Sequence, residues 1–529
     1  MENDLFDWNI TRLWWVDGLI DFMSGSDGIY SEGVFYSEIV SILNSFFTAQ
    51  KRLYGVNNFE RPEMKALYTE SLHLLTPEFH FVTFDDAFLG HVLDNNGNTN
   101  VLSFSEVISY YNQGNPTAEE KAEIEWIVCG YFQEYSEYPK YWQARTRLYT
   151  YNSDCNGAFT TMPSVPQSIA QGSYDGNSEF TIMRPEINDL NEFKNSTYLF
   201  VNHENSAPYS SHEHSDQSSF VLYYKGKQLL IDPGYLPARK SYFLAKEWLA
   251  SPYAHNLIMV NPQCNNDYEN VEDELFYDYT NIRNSLYNWN DSTCTDPNYY
   301  NFNYYSFEPV GRCYYPYPDL PSSQYSVGLP DSPLIPKNPA FRNYLIDNDN
   351  VQHLQVEIEY DHPQAGETYS NYNGNPNDII NIKRNFYGLN FNEGNEYFII
   401  YDNLESSDQS NPNVFMNQLH FGLFRPGIME DQITGIDDII SSNGIFEYTM
   451  YDNSANLFGA MGALSGNSNR TLRDSLPQGL YVGKNWGINE DDPLPPAWEH
   501  KCLRINTETA GDEKFLTLLI PSEDSDNPI

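Results

Sequence analysis

The chain has 529 residues, too many for one ordinary hydrophobic core, so two domains are expected. Its 73 acidic residues against 29 basic ones give a formal charge of -44, which excludes broad binding to nucleic acid or to an anionic membrane surface. No run is long and apolar enough to span a membrane.

The N-terminus, MENDLFDWNITRLWW, lacks a basic leader and an uninterrupted apolar core, so it does not read as a signal peptide. Residues 1–151 read as helical. Apolar side chains recur at three and four spacing in Trp14, Leu19, Ile20 and Met23, and again in Ile39, Leu43, Phe46 and Phe47. Thr76-Pro77 ends one helix, and Thr117-Ala118-Glu119-Glu120 has the form of a helix start before the amphipathic run through Trp126, Ile127 and Tyr131. Residues 152–178 are rich in Ser, Gly and Pro and read as an interdomain linker. From 179 to 529 strands dominate: Tyr198–Val201, Phe220–Tyr224, Val356–Tyr360, Tyr397–Tyr401, His420–Leu423 and Phe515–Ile520. Many strands between polar turns predict stacked antiparallel sheets. The segment from about 264 to 350, dense in Tyr, Asn, Asp and Pro, reads as an insertion. The six cysteines are widely spaced and form no Cys-x-x-Cys pair, which argues against a zinc ribbon.

The stretch 211–260 carries the chemistry. His212 and His214 stand two apart, so on an extended strand both imidazoles face one side. A strand Phe220–Tyr224, a Lys225-Gly226-Lys227 turn and a strand Leu229–Ile231 deliver Asp232 just before a Pro233-Gly234 break, and His255 follows. Two His and one Asp on a β scaffold make an N/N/O set suited to zinc. The same His-x-His suits a cupin-like metal barrel, and a solvent-facing pair has the same spacing. Five of the 29 basic residues, Lys225, Lys227, Arg239, Lys240 and Lys246, fall within 22 positions. They offer a local basic lining, although Lys225 and Lys227 read better as a solvated hairpin tip. The 42 tyrosines and 31 phenylalanines permit stacking on sugar rings and equally favour strands.

In combined order and spacing, these pieces resemble the heparinase II/III-like polysaccharide lyases. The matching residues are His212-Glu213-His214-Ser215-Asp216, the hairpin around Gly226, Asp232-Pro233-Gly234 and Ala254-His255-Asn256. Upstream, the run from Asp27 to Tyr36, DGIYSEGVFY, resembles the family's DG…EG.YY signature, and Phe180–Pro185 loosely resembles its first sandwich strand. The resemblance implies an α+β multidomain protein: an N-terminal partial α/α toroid followed by an antiparallel β-sandwich. Relatives carry more helices before the DG…EG signature, so the natural protein is expected to begin upstream and to be exported to the periplasm, cell envelope or medium.

The implied activity is that of a carbon–oxygen lyase, β-elimination on a uronate-containing acidic polysaccharide that is heparin/heparan sulfate-like or alginate-like. The reaction must neutralise a sugar carboxylate, remove the proton alpha to it and protonate the leaving glycosidic oxygen. By position, Tyr36 is the catalytic tyrosine, with Tyr30 close by as a substrate-binding alternative. His212 maps to the active-site histidine. His214, Asp232 and His255 map to ligands of a structural zinc. Tyr242 is the candidate for a second catalytic tyrosine, with Tyr235 behind it. Arg239 would face the uronate carboxylate, and His203, in VNHENS, is a further substrate-binding candidate. The family's upstream Asn/His pair has no counterpart before residue 27. A carbohydrate-binding or scaffold protein that keeps the zinc site is therefore the alternative.

Overall fold

The structure, a computed structural model, describes residues 39–61, 74–77, 82–84, 110–118, 120–122, 124–125, 168–170, 180–185, 187, 190–203, 214, 216, 218–232, 234, 254–260, 341–347, 351–361, 379–391, 395–407, 415–422, 435–440, 445–452, 455–465, 468–477, 499–507 and 512–523.

Of the N-terminal part, helix α1 spans Ile39–Tyr54. It ends on Gly55, whose φ of +71° and N–H bonded to the Lys51 carbonyl make a left-handed cap. Phe47 on α1 packs edge-on against Phe59 in the short 3-10 turn Asn58–Glu60. The helix start expected at Thr117 is present as a capping box. Thr117 Oγ1 accepts from the Glu120 N–H, and the Glu120 carboxylate accepts from the Thr117 N–H.

From residue 168 the chain forms strands: β1 Ser168–Ala170, β2 Phe180–Met183, β3 Thr197–Asn202, β4 Phe220–Tyr224, β5 Lys227–Leu230, β6 Ile258–Val260, β7 Phe341–Asp347, β8 Val351–Asp361, β9 Ile379–Leu389, β10 Tyr397–Ser406, β11 Phe415–Phe421, β12 Gly435–Ile440, β13 Ile445–Asp452, β14 Ala455–Ala463, β15 Ser468–Pro477, β16 Glu499–Thr507 and β17 Glu513–Ser522. A short helix α2, Leu190–Lys194, precedes β3. β1 falls inside the Ser/Gly/Pro-rich stretch and pairs with β2; β7 falls inside the 264–350 stretch and pairs with β8.

Two antiparallel sheets result. The first runs β1-β2-β3-β4-β5-β11-β16-β15, with β6 also paired to β11; the second runs β12-β13-β14-β17-β10-β9-β8-β7. Their facing rows share one apolar core, which includes Leu199, Val201, Phe220, Leu222 and Phe421 from the first sheet and Val356, Ile382, Phe386, Ile400 and Leu519 from the second. Phe220 meets Phe386 edge-on across the gap, with ring centroids 5.7 Å apart. This is the expected antiparallel sandwich.

The two sheets differ in their outer faces. In β10 and β17 buried and half-exposed residues alternate, as in a sheet with one wet face. In β3, β4 and β11 every residue is buried. Their second face is covered in part by the N-terminal region: Phe84 stacks on Phe200, and the Gln228 amide donates to Thr83 Oγ1. The strand expected at His420–Leu423 therefore begins earlier, at Phe415. The polar run Asn417-Gln418 hides it from apolar alternation, yet both side chains are buried and hydrogen-bonded.

Candidate functional site

The β4–β5 hairpin aims the site. Lys225 and Gly226 have φ of +49° and +68°, and Tyr224 pairs with Lys227, so this is a two-residue turn of the kind that suits strand twist. Lys225 lies over the Tyr224 ring and pairs with Glu523. It braces the hairpin to the end of β17 instead of forming a freely solvated tip.

β5 leads directly into Asp232. One carboxylate oxygen accepts the Gly234 N–H at 3.0 Å, with Gly234 at φ +74°. This local turn explains why Asp-Pro-Gly follows the strand. The other oxygen lies 2.6 Å from His255 Nδ1. His214 stands against His255 with ring centroids 5.4 Å apart. All three residues are buried, and their potential ligand atoms lie within 4.8 Å of one another. Two imidazoles and a carboxylate converging in a buried spot are a donor set that fits zinc. Tetrahedral zinc with ligands at about 2.0–2.1 Å separates its ligand atoms by roughly 3.3 Å. The Asp232–His255 contact would thus open slightly, or His255 would turn its other nitrogen to the ion.

A second acidic side chain belongs to the same neighbourhood. Asp216 is buried and accepts from the Asn202 amide at 3.0 Å. Burial raises its carboxyl above the usual carboxylate range. His255 opposes that shift, Asp232 adds to it, and His214 and the Asn202 hydrogen bond oppose it.

The backbone around the triad is tied down by buried amides. The Asn256 amide donates to the Phe220 and Ile231 carbonyls at 2.7 and 2.9 Å, and its oxygen accepts from the His420 N–H at 2.6 Å. Gln418 on β11 donates to the His255 carbonyl at 2.8 Å and accepts from Arg504 Nε. Asn202, Gln418 and Arg504 carry no motif, so spacing in the sequence does not single them out. Asn256 and Asp216 are visible only as members of the runs that hold the ligands.

Of the remaining site candidates, His203 is fully buried just after β3, with Nε2 2.8 Å from Thr181 Oγ1 on β2. Tyr30, Tyr36, His212, Tyr235, Arg239 and Tyr242 lie outside the described residues. His420 is a buried strand residue, as its context suggests, and lies 2.7 Å from His500. Cys502 is buried beside it, with its sulfur 3.5 Å from His420 Nε2. No described helix is long and apolar enough to cross a membrane.

Fold and site together define an antiparallel β-sandwich that buries a two-histidine, one-aspartate cluster. Residues 176–269, which include the triad, match the family model "Heparinase II/III-like, C-terminal". No curated protein matches the sequence. Among solved structures, a heparinase III gene product is similar at 11% identity and a TM-score of 0.48, covering 95% of this chain and 53% of its own. The heparan sulfate lyase HepC from Pedobacter heparinus is similar at 10% identity and a TM-score of 0.49, covering 95% and 54%. The chain therefore spans about half the length of these proteins.

Proposed function

We propose that the protein is a polysaccharide lyase that cleaves a uronate-containing acidic glycan, heparan sulfate-like or alginate-like, by β-elimination. The observation that carries this reading is the buried convergence of His214, Asp232 and His255 inside the segment that matches the family model. Zinc held there would supply a fixed coordination geometry that organises the surrounding loops. His214 is consumed as a ligand, and His212, two residues earlier, is left for the substrate. In this reading His212 and Tyr36 exchange the proton alpha to the uronate carboxylate and the proton for the leaving oxygen. Tyr242 assists them, and Arg239 and Tyr30 hold the substrate, Arg239 against the carboxylate. An exported location, in the periplasm, cell envelope or medium, suits a polymeric substrate.

The test is a scan of acidic polysaccharides for new ultraviolet absorbance, the signal of an unsaturated uronate product. The expected result is turnover of one such polymer, lost in His212→Ala while zinc content stays at the wild-type level. Zinc lost together with activity in His212→Ala would favour a cupin-like site in which His212 is a ligand. Binding of an acidic polysaccharide with no unsaturated product, in this chain and in any longer form of the protein, would replace the lyase reading with a carbohydrate-binding one.

A further inference from the structure

β9 and β10 each bury an alternating inward row: Ile380, Ile382, Arg384 and Phe386 on β9, and Phe398, Ile400, Asp402 and Leu404 on β10. Each row is apolar apart from one charge, and the two charges are direct cross-strand partners in the β9–β10 register. Arg384 Nε lies 3.0 Å from Asp402 Oδ1, with both side chains almost fully buried. An ion pair in that position is costly to desolvate, so apolar residues would fill the place at no loss of stability. Its presence calls for a role that packing does not supply.

The guanidinium shows where that role lies. It projects from the second sheet across the core, against both the Phe220 and Phe386 rings, whose centroids lie 5.4 and 5.5 Å from Cζ. Its Nη1 donates to two backbone carbonyls of the first sheet's loops: Ser218 at 2.9 Å and Asn256 at 3.0 Å. Asn256 directly follows His255. Ser218 follows His214 and Asp216 in the turn that closes through the Ser219 N–H to the Asp216 carbonyl. Ser218 also has a φ of +65°, a left-handed backbone that a residue with a Cβ adopts only when its surroundings hold it there.

We infer that Arg384 is a positioning residue for the metal cluster: one buried guanidinium, charge-balanced by Asp402, clamps the loop that bears His214 to the loop that bears His255. This inference rests on the metal reading of the triad. Arginine suits the task because its planar fork donates in several fixed directions at once, which an ammonium point charge does not.

The decisive variant is the double substitution Arg384→Met with Asp402→Leu, which removes both charges and keeps an apolar fill, so the fold is expected to survive. Zinc affinity of the folded protein, measured by chelator competition, should fall by about 10- to 100-fold, the usual effect of losing a residue that supports metal ligands. The visible spectrum of the cobalt-substituted protein should shift. Arg384→Lys should fall between the wild type and the double variant. Met450→Ala, a core truncation on β13 four strands from β9, should lower the unfolding midpoint and leave zinc affinity unchanged. A folded double variant with wild-type zinc affinity and cobalt spectrum would overturn the clamp, as would an equal loss of affinity in Met450→Ala. If the wild-type chain takes up no zinc at all, the metal reading fails, and amide exchange then decides the clamp alone. Faster exchange at 218–220 and 254–260 in the double variant would uphold it, and unchanged exchange would sink it.

Discussion

Asp232 does two jobs with its two oxygens: one fixes its own turn through Gly234, and the other meets His255. In the proposed zinc reading a cluster held this way is preorganised, and its loss should register in metal content and in folding together. His214→Ala and His255→Ala should each drop from about one zinc per chain to near zero and unfold at lower denaturant, as measured by metal analysis and urea titration. Wild-type zinc content in both variants would rule the triad out as the site. Asp402 gives a pH signature at the same scale. Burial pushes its carboxyl up to about 6 despite the neighbouring Arg384. A carboxyl whose folded value lies above its unfolded value of about 3.9 takes up protons on folding between the two, so its contribution is complete below about pH 4 and fades as pH rises through 6. The unfolding free energy of the wild type minus that of Asp402→Asn should therefore decrease from pH 4 to pH 6 and then level off, by at most about 3 kcal/mol. A difference that rises over this window would contradict the assignment.

At the scale of elements, the contact of β5 with β11 decides where Asp232 sits. The Gly422 N–H donates to the Leu229 carbonyl, and the Ile231 N–H donates to the His420 carbonyl, so the strand that ends in Asp232 is laced to the end of β11. A methyl group on Gly422 would lie 2.4 Å from the Gln228 carbonyl oxygen and 2.8 Å from Ile231 Cγ2. Backbone on the far side has no rotamer with which to yield. Gly422→Ala should cost about 1–3 kcal/mol, the usual range for overpacking, and should weaken zinc binding by displacing Asp232. Unchanged stability and zinc affinity, read by urea titration and chelator competition, would show that the strand moves freely.

At the scale of the molecule, strands β3, β4 and β11 of the first sheet are buried on both faces because the second sheet covers one face and the N-terminal region covers part of the other. Phe84 is 4% exposed and stacks on Phe200 at 5.4 Å. Phe84→Ala should destabilise by about 3–5 kcal/mol, as large core truncations do. Calorimetry should show the sandwich and the N-terminal region beginning to unfold separately as their shared contact weakens. A change below about 0.5 kcal/mol, the ordinary range for an exposed position, would place Phe84 outside any load on the fold.

Several sandwich strands and the residues of the buried cluster could be read from the chain because each depends on local rules. Period-two alternation marks β8, β10 and β17, the Lys225-Gly226 pair marks the hairpin, and Thr117 with Glu120 marks a helix start. His214, Asp232 and His255 stand in short runs, at strand ends and turns, so the members of this buried cluster were legible there. The even burial of β11 was not, since Asn417 and Gln418 look like solvent residues until a covering layer is known. Arg384 and Asp402 each stand alone in an apolar row, but the alternation gives no address for their partners. Arg384 reaches Ser218 and Asn256 over 166 and 128 residues, and Gln418 reaches His255 over 163. Local propensity sets strands, turns and the facing of side chains. Which buried charge meets which carbonyl is settled only when two sheets close on each other, because a desolvated polar group must find its partner wherever the packed chain supplies one.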